Sequence, residues 1–139
     1  MKFEVELESK FKTTAPICRL GSGSQKLEVQ CKNKINKIET DLQLKDNDHF
    51  EIEFTNKDDS DDNVVLIKSI CIDGINLQHF IYKGVFRPSY NEEWLSQQEF
   101  PPPEVYQPCT ELRHNGVWRI AVSTPVWKMI MDEWTNDER

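Results

Sequence analysis

Met1-Lys2-Phe3-Glu4-Val5-Glu6-Leu7-Glu8 opens the chain in strict alternation, with Met1, Phe3, Val5 and Leu7 on one side and four charges on the other. Successive strand residues point to opposite faces, so this octet is a strand with one dry and one wet face. The same period recurs downstream. Leu27, Val29 and Cys31 alternate with Lys26, Glu28 and Gln30. Ile38, Thr40, Leu42 and Leu44 alternate with Glu39, Asp41 and Gln43, and Phe50, Ile52 and Phe54 with His49, Glu51 and Glu53. Segments of this kind build antiparallel sheets packed as a sandwich or barrel. Val64–Ile72 is apolar on both faces and reads as a central or covered strand. It ends at Asp73-Gly74, a tight-turn signal that requires positive φ at both positions, and a return strand is predicted over Ile75–Tyr82. His114-Asn115-Gly116 predicts a second hairpin, joining Glu111–Arg113 to Val117–Val122, with Trp118, Ile120 and Val122 on one face. The fold class that follows is mainly β: an antiparallel, jelly-roll-like β-sandwich with one or two short helices.

Between the two hairpin signals the alternation stops. Ser89 and Glu92 fit a capping box, which predicts a short helix over about Tyr90–Gln98. Phe100-Pro101-Pro102-Pro103 must be extended, as a stiff surface connection or as a ligand for an aromatic groove. Residues 87–108 therefore form a Pro-rich irregular segment. Near the end, Thr124 is a candidate N-cap with Pro125 at the first helical position. Trp127, Ile130, Met131 and Trp134 follow at i, i+3, i+4 and i+7 and predict one apolar face of a helix over 125–134. Gly21–Ser24 reads as a loop.

The chain has 139 residues, one domain's worth, so residues 1–139 are expected to form a single sandwich domain. Seventeen basic residues against 24 acidic ones leave a net charge of −7, which repels phosphate backbones and argues against nucleic acid. The longest apolar run, Val64–Ile67, falls far short of the ~20 residues a membrane helix needs. A secretory signal needs a ~7–15-residue apolar core where this chain alternates with charges, so cytosolic synthesis is expected. Cys18, Cys31, Cys71 and Cys109 contain no CxxC pair and are expected to be thiols, Cys31 and Cys71 as small hydrophobes in strands.

Few constellations carry chemistry. Asp58, Asp59, Asp61 and Asp62 place four carboxylates in five residues, and Ca²⁺ takes ~6–8 oxygens. Asp59, Asp61 and Asn63 match the first EF-hand ligand positions, but Val64 and Ile70 stand where Gly and the bidentate Glu belong. The alternatives are weak calcium binding, with no other cofactor, or a solvated acidic turn. His49, His79 and His114 lie outside metal-ligand spacing of one another. There is no G-x-S-x-G elbow and no phosphate-cradling glycine loop, which argues against an enzyme. Tyr82, Tyr90, Trp94 and Tyr106 lie at or beyond the edge of the strand core. They are candidates for stacking on sugar rings or for protein contacts, or else for a small core beneath the Pro-rich segment.

Four ordered blocks also carry a resemblance: Phe50-Glu51-Ile52-Glu53-Phe54-Thr55-Asn56-Lys57-Asp58, Ile70-Cys71-Ile72-Asp73-Gly74-Ile75-Asn76-Leu77, Tyr82–Tyr90, and His114-Asn115-Gly116-Val117-Trp118-Arg119. Across about residues 46–128 the chain resembles small, mostly uncharacterised proteins of contractile-tailed phages that infect marine cyanobacteria. Some of these resemble calcium-dependent carbohydrate-binding modules of the β-sandwich, jelly-roll type. Their acidic block continues into a longer loop with further acids, whereas here Val64 follows almost at once. The resemblance implies a non-catalytic virion component, structural, decorating or tail-associated, whose partners are other virion proteins or a second copy of the chain. The alternatives are a carbohydrate-binding module for a host surface glycan and a host-takeover factor that binds a cellular protein.

Overall fold

The computed structural model describes residues 1–45, 48–57 and 62–137. Among them the strands are β1 (Lys2–Lys10), β2 (Ile17–Ser22), β3 (Gln25–Gln30), β4 (Lys34–Asp41), β5 (Asp48–Phe54), β6 (Val64–Ile72), β7 (Ile75–Asn76), β8 (Val85–Pro88), β9 (Glu111–Leu112) and β10 (Gly116–Val122). They form two antiparallel five-stranded sheets. The first runs β4-β1-β6, with β7 and β9 sharing the far edge of β6; the second runs β3-β2-β5-β10-β8. The dry faces of the two sheets meet, and the rings of Phe3 in the first and Phe50 in the second stack at 4.7 Å. Trp118, Phe3, Phe50, Phe54 and Phe86 are the largest fully buried side chains. The β-sandwich expected from the alternation is the fold observed.

The two-sided pattern of Val64–Ile72 has a local cause. Leu7 of β1 faces Ile67, and Glu6 faces Ser69, so Lys68 is an extra, unpaired residue. A bulge of this kind shifts the alternation by one. Val65 and Ile67 before it, and Ile70 and Ile72 after it, all turn into the core. The strand has one dry face interrupted by a bulge, not two dry faces.

Several local expectations are corrected. The turn at Asp73 (φ 49°) and Gly74 (φ 82°) forms, but the return strand stops at Asn76. The Asn76 side chain accepts the Gln78 N–H at 2.8 Å, offering the backbone an alternative to the ladder, and a 3₁₀ turn follows over Gln78–Lys83. His114-Asn115-Gly116 is not a hairpin. β9 before it pairs with β6 in the first sheet, and β10 after it pairs with β5 and β8 in the second, so the segment is a corner between sheets. Gly21–Ser24 is not a plain loop either: Gly21 and Ser22 end β2, and Gly23 (φ 56°) turns the chain into β3.

The helices also shift. The first, α1 (Glu92–Ser96), is capped by Asn91, whose side chain accepts the N–H groups of Glu93 and Trp94. Ser89 does not cap it; its N–H is donated to the Asn115 carbonyl. The second, α2 (Val126–Asp137), begins one residue later than expected, with the Pro125 carbonyl accepting from Lys128 and Met129. Val126 is buried and Met129 and Ile130 pack on the core, while Trp127 and Met131 stand more than half exposed. The packed face is offset by one residue from the one expected, and the Trp134 side chain lies outside the described residues.

Candidate functional site

The outer face of the second sheet is built from the polar half of its alternation. Strand pairing sets Arg19, Glu53, Val117 and Arg87 in one row across β2, β5, β10 and β8. The next row holds Lys26, Gly21, Glu51, Arg119 and Val85, and beyond it His49 faces Ala121. Short side chains at Val85, Val117 and Ala121 form a floor between taller charged ones. The result is an open groove of about 810 Å³, within the ~300–1,000 Å³ that accommodates small ligands. Among the described residues Lys83, Arg87 and Arg119 line it against one carboxylate, Glu53.

Glu51 anchors this face. Arg119 donates from Nε and Nη2 to its Oε2 at 3.1 and 2.7 Å, and Lys26 Nζ stands 3.3 Å from its Oε1. Gly21 lies between Lys26 and Glu51 in the row, where no side chain blocks that approach. Only 11% of the Glu51 side chain is exposed. Burial pushes its carboxyl upward, but the hydrogen bond from Arg119 and the charge of Lys26 outweigh this, and the net shift is below the usual range. A depressed folded-state pKa adds stability above the ordinary carboxylate range, and that stability is lost as the pH falls through the folded value. Glu51→Gln is expected to cost about 2 kcal/mol at pH 7, between the ~0–1 kcal/mol of exposed pairs and the ~3–5 kcal/mol of buried ones. Thermal melts from pH 7 to pH 3 check this: the gap between wild type and variant should narrow with acid, and a gap unchanged by pH would contradict it.

At one end the groove passes Ser89 and Asn115 into a recess of about 40 Å³ bordered by Lys57, Tyr90, Trp94 and His114. Asn115 ties the end of β5 to the end of β8. Its side chain accepts the Lys57 N–H and its carbonyl the Ser89 N–H, both at 2.6 Å. Three of the four aromatic candidates converge here. Tyr90 stacks on Trp94 at 5.3 Å, and His114 meets Tyr90 edge-on at 4.9 Å. The Tyr90 hydroxyl donates to the Pro103 carbonyl at 2.5 Å and lies 3.0 Å from that of Tyr106. Burial, and then the Tyr106 hydrogen bond, hold its phenol above the ordinary tyrosine range. Tyr106 is joined to Phe86 by paired backbone hydrogen bonds. These rings, all partly exposed, pack on one another beside the Pro-rich segment and form one wall beside the groove's end. Tyr82 stands apart on the 3₁₀ turn, half exposed, with its ring stacked on His79 at 5.8 Å.

Of the acidic candidates, Asp58, Asp59 and Asp61 lie outside the described residues. The Asp62 carboxylate is almost fully exposed and sits 3.9 Å from Arg113 Nη1. The adjoining Asn63 is buried and donates to the Thr14 carbonyl at 3.2 Å, and among the described residues its Oδ1 has no partner. Among the described residues no cluster of His, Cys, Asp or Glu could hold a metal ion, and a carboxylate beside a guanidinium is a poor donor to a hard cation. The described residues do not fit a calcium centre. The four cysteines are free thiols; a hydrogen bond with Cys31, together with burial, pushes the Cys18 thiol up and keeps it protonated.

Arg87, Arg119, Lys83 and Asn115 were not singled out from the sequence. Arg119 read as a polar residue of an outer face, Asn115 as a turn residue and Arg87 as the start of the irregular segment, and only the tertiary structure brings them together with Lys83.

No protein-family model matches the chain, and no characterised protein matches it in sequence. Solved structures do match in shape. One is vCBM60 in complex with galactobiose, at a TM-score of 0.61 and 12% identity, covering 87% of this chain and 98% of that one. Another is a selenomethionine form of vCBM60, from work linking two families of calcium-dependent carbohydrate-binding modules by circular permutation. It matches at a TM-score of 0.60 and 12% identity, over 86% of this chain and 90% of that one. At this identity the likeness establishes a shared β-sandwich fold.

Proposed function

We propose that this protein is a non-catalytic carbohydrate-binding module that holds an oligosaccharide along the outer face of its second sheet. The observation that carries the proposal is the groove of about 810 Å³, lined by charged and amide side chains over an apolar floor, on a fold shared with vCBM60. Sugars present hydroxyls at their edges and C–H groups on their faces. The groove offers donors and an acceptor along its sides and Val85, Val117 and Ala121 beneath. A virion scaffold needs no such groove, so the geometry and the fold likeness favour glycan binding over a purely structural role. Recognition is assigned to the groove's own side chains.

A glycan array with the full chain, with and without calcium, tests this. Saturable binding of at least one oligosaccharide is expected in both conditions. Ala121→Ile, which raises the exposed floor, should weaken it about tenfold, a difference of about 1.4 kcal/mol, with the melting temperature unchanged. An array blank in both conditions would sink the proposal, as would full binding by the Ala121→Ile variant.

A further inference from the structure

Resting on that glycan-binding reading, we infer that the groove selects saccharides carrying an oxyanion, a uronate carboxylate or a sulfate ester, and that Arg87 receives it. The first ground is charge. The whole chain carries −7, yet among the described residues this groove is lined by Lys83, Arg87 and Arg119 against Glu53 alone. The second is how these charges are used. Arg119 is committed to Glu51, and Glu53 has Arg19 Nη1 at 3.7 Å. Arg87 is exposed, and among the described residues no carboxylate pairs with it. In its row Val117 separates it from Glu53, which puts that carboxylate two strands away, roughly 10 Å at ladder spacing. The third is position. Arg87 lies on β8, the edge strand of its sheet, where its planar guanidinium can meet an incoming oxyanion with two parallel hydrogen bonds.

The experiment is isothermal titration of the full chain with trigalacturonate, a sulfated galactotriose and neutral galactotriose, repeated with Arg87→Gln. At least one anionic sugar should bind about tenfold or more tighter than the neutral one, as a charge-assisted bidentate contact implies. Arg87→Gln should bring that ratio to within about twofold, at an unchanged melting temperature because the side chain is exposed. Which anionic sugar leads tells carboxylate from sulfate. Equal affinities for neutral and anionic sugars, or a preference that survives Arg87→Gln, would overturn the inference while leaving glycan binding in place. An oligothymidylate that bound as tightly as the anionic sugar would overturn it too, because the face would then be a general polyanion patch. Failure of every saccharide here and on the array would remove the glycan-binding reading itself.

Discussion

Trp118→Ala is expected to lower the unfolding free energy by about 3–5 kcal/mol, the range for deleting a large buried aromatic side chain. Trp118 is wholly buried and is the largest side chain of the core. It faces Ile52 on β5 and Phe86 on β8, so it bridges the strands that carry the groove. Its indole N–H also donates to the Cys109 carbonyl at 2.9 Å, and that carbonyl loses its partner in the variant. Whole domains are stable by only ~5–15 kcal/mol, so the loss is a large fraction of the total. Urea denaturation followed by circular dichroism would measure it. Trp118→Phe keeps most of the apolar volume and isolates the hydrogen bond, at a cost of about 1–2 kcal/mol. A Trp118→Ala loss below 1 kcal/mol would mean that this ring is not the centre of the core.

Gly84→Ala should cost about 3 kcal/mol by the opposite route. A methyl group on Gly84 would lie 2.2 Å from Cε2 and Cζ2 of Trp118 and 2.3 Å from Nε1. The backbone there, at φ −63° and ψ 142°, suits alanine as well as glycine, so the penalty is steric rather than conformational. In open space this change would stabilise slightly, by ~0.4–1 kcal/mol, through the unfolded chain. Here the obstructing ring is buried and held by its hydrogen bond, so it cannot swing aside, and overpacking of this kind costs ~1–3 kcal/mol. The test is a double-mutant cycle. In the Trp118→Ala background, Gly84→Ala should cost less than 1 kcal/mol, a coupling of about 2 kcal/mol between the sites. Additive losses would show that the glycine is required for some other reason.

Much of the fold was legible because alternation is a local property. Phe3, Val5 and Leu7, then Phe50, Ile52 and Phe54, each declare a dry face within a few residues, and Asp73-Gly74 declares its own turn. Where the reading failed, a second, nonlocal element intervened. The bulge at Lys68 made one dry face look like two, because the extra residue shows only against the partner strand β1. Asn115-Gly116 has the composition of a hairpin, but β9 and β10 find partners in different sheets, and no local signal marks that choice. Ile17–Ser22 is short, with a glycine in its last turn toward β3, and shows too little alternation to read as a strand.

The candidate site divides along the same line. The sequence singled out Tyr90, Trp94 and Tyr106, and they do converge, but mostly on one another. The groove was invisible because Arg87, Arg119 and Glu53 are brought to one face by the ladder register of strands up to 68 residues apart, as in the Glu51–Arg119 contact. By itself the sequence determined which residues of an unbroken strand share a face, because a side chain's direction there depends on its parity until a bulge shifts it. Tertiary structure alone decided which of the water-facing charges became neighbours, because hydrogen-bonded pairing between distant strands sets that, and with it a cation at Arg87 that no carboxylate among the described residues pairs.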